Sequence, residues 1–179
     1  MLPLTIPETE MFNSETQEFT TLPAVQLQLE HSLISLSKWE AKWKKSFLST
    51  MEITAEEFRD YVRCMTINKI ADDSCYDRLT TLHEKLIRAY IEDPMSATRL
   101  PNSKSMTRRN RIVTSEQIYG WMIDFNIPFN PCEKWHLNRL IMLINVCGIQ
   151  QSPSKKRSTK DRYAAQNAQY NRMRNKAKR

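Results

Sequence analysis

Glycine is almost missing from this chain, with two in 179 residues, Gly120 and Gly148. Loops that cradle phosphates are built from glycines, and neither G-x-G-x-x-G nor G-x-x-x-x-G-K-[ST] occurs, so dinucleotide-binding and P-loop enzymes are excluded. No apolar run approaches the roughly 20 residues of a membrane helix, and no membrane partner is expected. The segment Met1 to Glu18 holds acids and no base, unlike a secretory leader, so a cytoplasmic protein is expected. Cysteines are few: Cys64, Cys75, Cys132 and Cys147, with no C-x-x-C pair. They read as reduced thiols packed like small hydrophobes. Histidines are fewer still, at His31, His83 and His136. Cys132 and His136 stand four apart on a predicted helix, but zinc needs three or four ligands and no others show ligand spacing. A Cys/His nucleophile would want an oxyanion loop, which is also missing. The acid pairs Glu56-Glu57, Asp72-Asp73 and Glu92-Asp93 fall at predicted helix ends, where capping accounts for them. No catalytic residue, metal or cofactor is assigned, and an enzyme is not expected.

What is present is a core. Apolar residues make up 40% of the chain, with 4 Trp, 6 Tyr and 6 Phe, which excludes a wholly disordered protein. The net charge of +7 is unevenly divided. Residues 151–179 hold ten bases against Asp161 alone, net +9, whereas residues 1–150 carry 17 bases and 19 acids, net −2. Three parts are expected: an acidic, extended or mobile arm over 1–23, a helical domain over 24–150, and a basic tail over 151–179. A second positive stretch, Arg99 to Arg111, has five bases and no acid and reads as a solvated loop.

Within the body, Val25, Leu27 and Leu29 alternate with polar residues, the pattern of a short strand with one buried face. Leu33, Leu36, Trp43 and Phe47 then follow helical spacing over 32–47. Thr54 with Glu57 is a capping box ahead of a helix over 55–66, and Thr81 with Glu84 suggests another, closed by Pro94. Thr114 with Gln117 opens a third, ended by Pro128. Asn130-Pro131-Cys132-Glu133 reads as N-cap, N1 and N3 of an apolar central helix over 131–147, stopped by Gly148. The fold class expected is mainly α, a small helical bundle with one short N-terminal strand and a tail that is helical or disordered. No internal repeat is visible.

Two groups of residues are candidates for partner binding. Trp39, Trp43 and Phe47 lie among lysines at helical spacing; one core indole with solvated lysines is the favoured reading, and an exposed binding face is the alternative. Trp121 and Trp135 sit on apolar faces and read as core. Lys155, Lys156, Arg157, Arg162, Arg172 and Arg174, with Tyr163 and Tyr170, resemble arginine-rich segments that order on nucleic acid, and they fit an acidic protein partner as well.

Several blocks together resemble a known family. Gln26-Leu27-Gln28-Leu29-Glu30-His31-Ser32-Leu33, Tyr61-Val62-Arg63-Cys64-Met65-Thr66, Tyr90-Ile91-Glu92-Asp93-Pro94-Met95, Trp121-Met122-Ile123, Asn126-Ile127-Pro128-Phe129 and Lys134-Trp135-His136-Leu137-Asn138-Arg139-Leu140 are similar to tail assembly chaperones of long-tailed bacteriophages. The resemblance runs over about residues 25–157. It implies a non-enzymatic protein of the host cytoplasm, encoded beside the tape-measure protein, that binds that protein and keeps it soluble. Other tail proteins are further expected partners, and the arms of opposite charge favour a homo-oligomer. Two alternatives stay open: a structural tail or connector protein retained in the virion, and a nucleic-acid-binding accessory protein acting through the tail.

Overall fold

A computed structural model describes residues 1–13, 17–50, 52–100 and 112–151. The chain divides into two compact units, Met1–Val146 and Cys147–Arg179. Only residues 147–151 of the second are described, as the end of a helix. The expected basic tail and most of the loop 99–111 therefore lie outside the described residues.

The helical bundle expected from the sequence is not the architecture. Among the described residues the first unit mixes helices with four strands in two antiparallel pairs. Strand β1 (Leu2–Ile6) pairs with β4 (Val25–Leu29), and β2 (Thr9–Asn13) pairs with β3 (Glu18–Leu22). The two pairings share one register: three residues beyond Ile6↔Val25 on each strand comes Thr9↔Leu22. The described strands between residues 2 and 29 thus follow one ribbon, interrupted at Pro7 and Pro23, which have no N–H to donate to a ladder. The segment expected as an arm is strand because Leu2, Leu4 and Ile6 carry their own period of two. The prolines hide it: Pro3 is tolerated on an edge strand.

The proximal half of the ribbon belongs to the core. Leu4 and Ile6 of β1 and Leu27 and Leu29 of β4 are buried on one face, as the alternation in 25–29 predicts. The other edge of β4 meets the segment 65–68. Glu30 N–H donates to Met65 O at 2.9 Å and Ile67 N–H to Gln28 O at 2.9 Å. The Asn68 amide completes this ladder with its side chain, bonding both Gln28 N–H and Gln26 O at 2.8 Å.

Helices cover the buried face. They are α1 (Leu33–Trp43), α2 (Ala55–Met65), α3 (Thr81–Glu92), α4 (Ser115–Asp124), the single turn α5 (Phe129–Cys132) and α6 (Leu137–Gln151), with a 3-10 segment over Asp73–Arg78. Helix α1 stops four residues short of the expected end, because Lys44 takes a left-handed conformation (φ 54°) and caps it by donating to Glu40 O. The Thr54–Glu57 capping box is present in both directions. On α3 the box is shifted by one residue: Thr80 and His83 fill the roles expected of Thr81 and Glu84.

Two helix starts differ more. Thr114 makes no side-chain cap on α4; the Glu40 carboxylate of α1 takes that role, accepting from Ser115 N–H at 2.7 Å and from Phe47 N–H at 3.2 Å. The expected helix 131–147 begins only at Leu137. Leu137 N–H donates to His31 O at 2.7 Å, and His136 forms a bridge with Ser32. Residue 136 is therefore held extended against the end of the ribbon, and helical bonding restarts after it.

Candidate functional site

The expected binding cluster resolves into a core and a rim. Trp39 is fully buried, its indole N–H donating to Glu57 O at 2.8 Å. Phe47 is buried too, stacked on Tyr61 with ring centroids 3.8 Å apart and edge-on to Trp39. Neither forms a binding face, so that alternative is withdrawn for both; an aromatic in such contact gains more from the core than from solvent. Trp43 alone is half-buried, and its indole N–H donates to Asp60 Oδ2 at 2.8 Å. Asp60 also receives Lys42 at 2.5 Å and Arg63 at 3.3 Å. Burial alone would raise the Asp60 carboxyl, but the Lys42 and Trp43 donors hold it below the usual carboxylate range. Beside it, Lys45 at 2.5 Å and the Thr54 backbone hold Glu57 low. Trp121 and Trp135 are likewise half-buried rather than core, and the Arg139 guanidinium lies 4.5 Å over the Trp135 ring.

At the centre the histidines meet each other. His31 and His136 are buried with ring centroids 5.2 Å apart. Tyr61 OH lies 2.5 Å from His31 Nδ1. Burial, then the nearby His136, pushes His31 down to about 3, while burial pushes Tyr61 far up. His31 is thus neutral, and its Nδ1 shares one hydrogen bond with the Tyr61 hydroxyl. His136 Nε2–H donates to Tyr90 O at 3.0 Å, and Asn138 N–H donates to its Nδ1 at 3.3 Å. Burial lowers His136 as well, consistent with a neutral ring whose two nitrogens are both engaged. Tyr90 OH donates to Glu30 Oε1 at 2.8 Å, and Glu30 Oε2 pairs with the Met1 amine at 2.9 Å. This network ties the ribbon, α2, α3 and the start of α6 together. It is a satisfied polar core. Cys132 is buried nearby in sequence, but among the described residues no three His, Cys, Asp or Glu are grouped to hold a metal ion.

Large apolar side chains are exposed at several places, among them Ile67, Leu82 and Ile123, but an exposed aromatic pair stands on the distal half of the ribbon, in the segment expected as an extended or mobile arm. Strands β2 and β3 pair chiefly with each other, and β2 alone reaches about 17 Å at the usual strand rise. Phe12 and Phe19 are direct cross-strand partners, so their rings share one face, with centroids 5.0 Å apart. They remain 55% and 71% exposed, and Met11 on the opposite face is 54% exposed. Two antiparallel strands with no sheet behind them are marginal in isolation, so something must fix this finger at its base. Arg78 does so. Its guanidinium donates to Pro7 O at 3.2 Å, Pro23 O at 3.2 Å and Leu22 O at 3.5 Å, taking the carbonyls that the prolines leave out of the ladder. The sequence signal was present in Met11, Phe12 and Phe19 flanking a polar stretch, 13–18, but the alternation there is imperfect.

The basic residues Lys155, Lys156, Arg157, Arg162, Arg172 and Arg174 lie outside the described residues. No helix among the described residues is long and apolar enough to cross a membrane. No family model, curated protein or solved structure matches this chain.

Proposed function

We propose that this chain is a non-enzymatic tail assembly chaperone that binds the tape-measure protein of a long-tailed phage in the host cytoplasm. It keeps that long chain soluble until tail-tube subunits polymerise around it. Two things support this: the ordered blocks between residues 26 and 140 that resemble the chaperone family, and an exposed aromatic pair on strands whose base is hydrogen-bonded by Arg78.

The single observation that carries the proposal is the Phe12–Phe19 pair, held in solvent on a finger clasped by Arg78. Adjacent large apolar side chains left in solvent offer a patch for a partner, and an aggregation-prone partner is held soluble by covering its apolar segments. Coexpression of the chain with the tape-measure protein encoded beside it is the test. Copurification and a larger soluble fraction of the tape-measure protein are expected. If neither occurs, the proposal fails. Mass spectrometry of purified particles supplies a second check: a chaperone is absent from them or present in traces, whereas stoichiometric amounts mean a structural tail protein.

A further inference from the structure

We infer that His136 is a pH-sensitive latch that fastens α3 to the start of α6, and that protonation of its ring frees α3 while the rest of the fold stays closed. His136 begins α6, its carbonyl accepting from Leu140 N–H at 3.1 Å. Its imidazole caps the same helix. Because Nε2–H donates to Tyr90 O at 3.0 Å, Nδ1 keeps the lone pair that accepts from Asn138 N–H at 3.3 Å. Asn138 in turn carries the end of α3, its side-chain amide donating to Ile91 O and Asp93 O at 2.8 Å each.

This polar joint matters because α3 has little apolar anchorage. Of its twelve residues Ile87 alone is buried, and the Arg88 guanidinium, 4.3 Å over the Phe58 ring, adds one further contact. A second proton on the His136 ring must go to Nδ1. It would turn the acceptor into a donor facing Asn138 N–H and set a cation at the positive end of α6. The first turn of α6 then has to shift, and the Asn138 bonds to α3 are lost with it. The groups around the ring are Glu30, His31 and the Met1 amine from the ribbon, Tyr90 and Asp93 from α3, and Tyr61 of α2 behind His31. Glu30 and Asp93 favour the proton, but Glu30 is already engaged by the Met1 amine and Tyr90 OH, and burial prevails, lowering His136. Helices α1 and α2 do not depend on the joint, since Trp39, Phe47 and Tyr61 pack on one another and cover His31. Opening is therefore local, and it is independent of which partner the chain binds.

Amide hydrogen exchange of the full chain at about pH 7.5 and about pH 5.5, corrected for intrinsic rates, reads the latch residue by residue. Protection in α3 should fall about fivefold between the two, because a released imidazole takes its proton near pH 6.5. His31→Gln should leave that fall in place. His136→Asn, which keeps a capping oxygen and does not titrate, should reduce it to less than about twofold. In the wild-type chain the His136 ring, followed by its NMR signals, should titrate with the midpoint of the α3 opening, which tests the idea even if a variant misfolds. Equal α3 protection at the two pH values overturns the inference. So does a ring that titrates with no change in α3 exchange, or a fall that His136→Asn retains or His31→Gln abolishes.

Discussion

Asp60 gathers three donors, from Lys42, Trp43 and Arg63, onto one carboxylate that is almost entirely covered. Removing it strands the Trp43 indole N–H in a half-buried position and leaves two cations facing each other. Asp60→Ala should therefore cost about 2 kcal/mol in urea unfolding. Because its pKa is depressed in the folded chain, the stability it contributes is present above the unfolded pKa and is lost as pH falls below it. His31 works by the opposite protonation state. It is neutral when folded, down to about pH 3, but takes a proton near pH 6.5 when unfolded, so stability falls as pH drops from 6.5 towards 3. That one ring should remove about 2 kcal/mol between pH 7 and pH 5, and the lowered His136 acts in the same direction. Unfolding of wild type and His31→Gln at both pH values checks it: the variant should lose distinctly less, and equal losses would mean that His31 protonates freely in the fold. None of this was legible in the sequence, since a pair of histidines 105 positions apart in the chain shows no spacing signal.

At the level of elements, the ribbon is two strand pairs in one register, separated at Pro7 and Pro23, with two roles. Its proximal half buries Leu4, Ile6, Leu27 and Leu29, and its distal half is exposed. The Arg78 clasp is what couples them. Arg78→Ala should raise amide exchange through β2 and β3 severalfold while β1 and β4 stay protected, a contrast that hydrogen exchange resolves strand by strand. Uniform exchange across all four strands would mean that the halves open together. The elements most legible beforehand were those with purely local signals: the 25–29 alternation, the Thr54–Glu57 box and the Pro94 stop. Those that misled depend on distant groups. The Glu40 carboxylate caps α4 in place of Thr114, and the His31 carbonyl moves the start of α6 to Leu137. The N-terminal strands were hidden because prolines and acids in 1–23 resemble an arm, while the pairing that overrides them is a tertiary fact.

For the whole molecule, every buried apolar side chain among the described residues lies within Met1–Val146, the last being Ile144. Truncation after Gln151 should therefore leave the melting temperature within a few degrees of the full chain. Leu140→Ala, which empties a fully buried site on α6, should cost about 3 kcal/mol. Trp135→Ala should cost less than a core indole would, because Trp135 is half-buried. Thermal melts of the three chains separate these outcomes, and unfolding on truncation would show that the basic segment is part of the core. Of the aromatic residues singled out in the sequence, Trp39 and Phe47 are buried, while Phe12 and Phe19, which the sequence reading passed over, are exposed. Helical spacing marks which residues share a face but not which face the rest of the chain covers.

The central claim is that this protein holds an aggregation-prone partner in solution by binding. Light scattering of the tape-measure protein, diluted from denaturant with and without the purified full chain, measures that directly. An equimolar amount of the chain should suppress the rise in scattering, and should lose most of that effect when Phe12 and Phe19 are both serine. Scattering that rises equally with and without the wild-type chain would contradict the account.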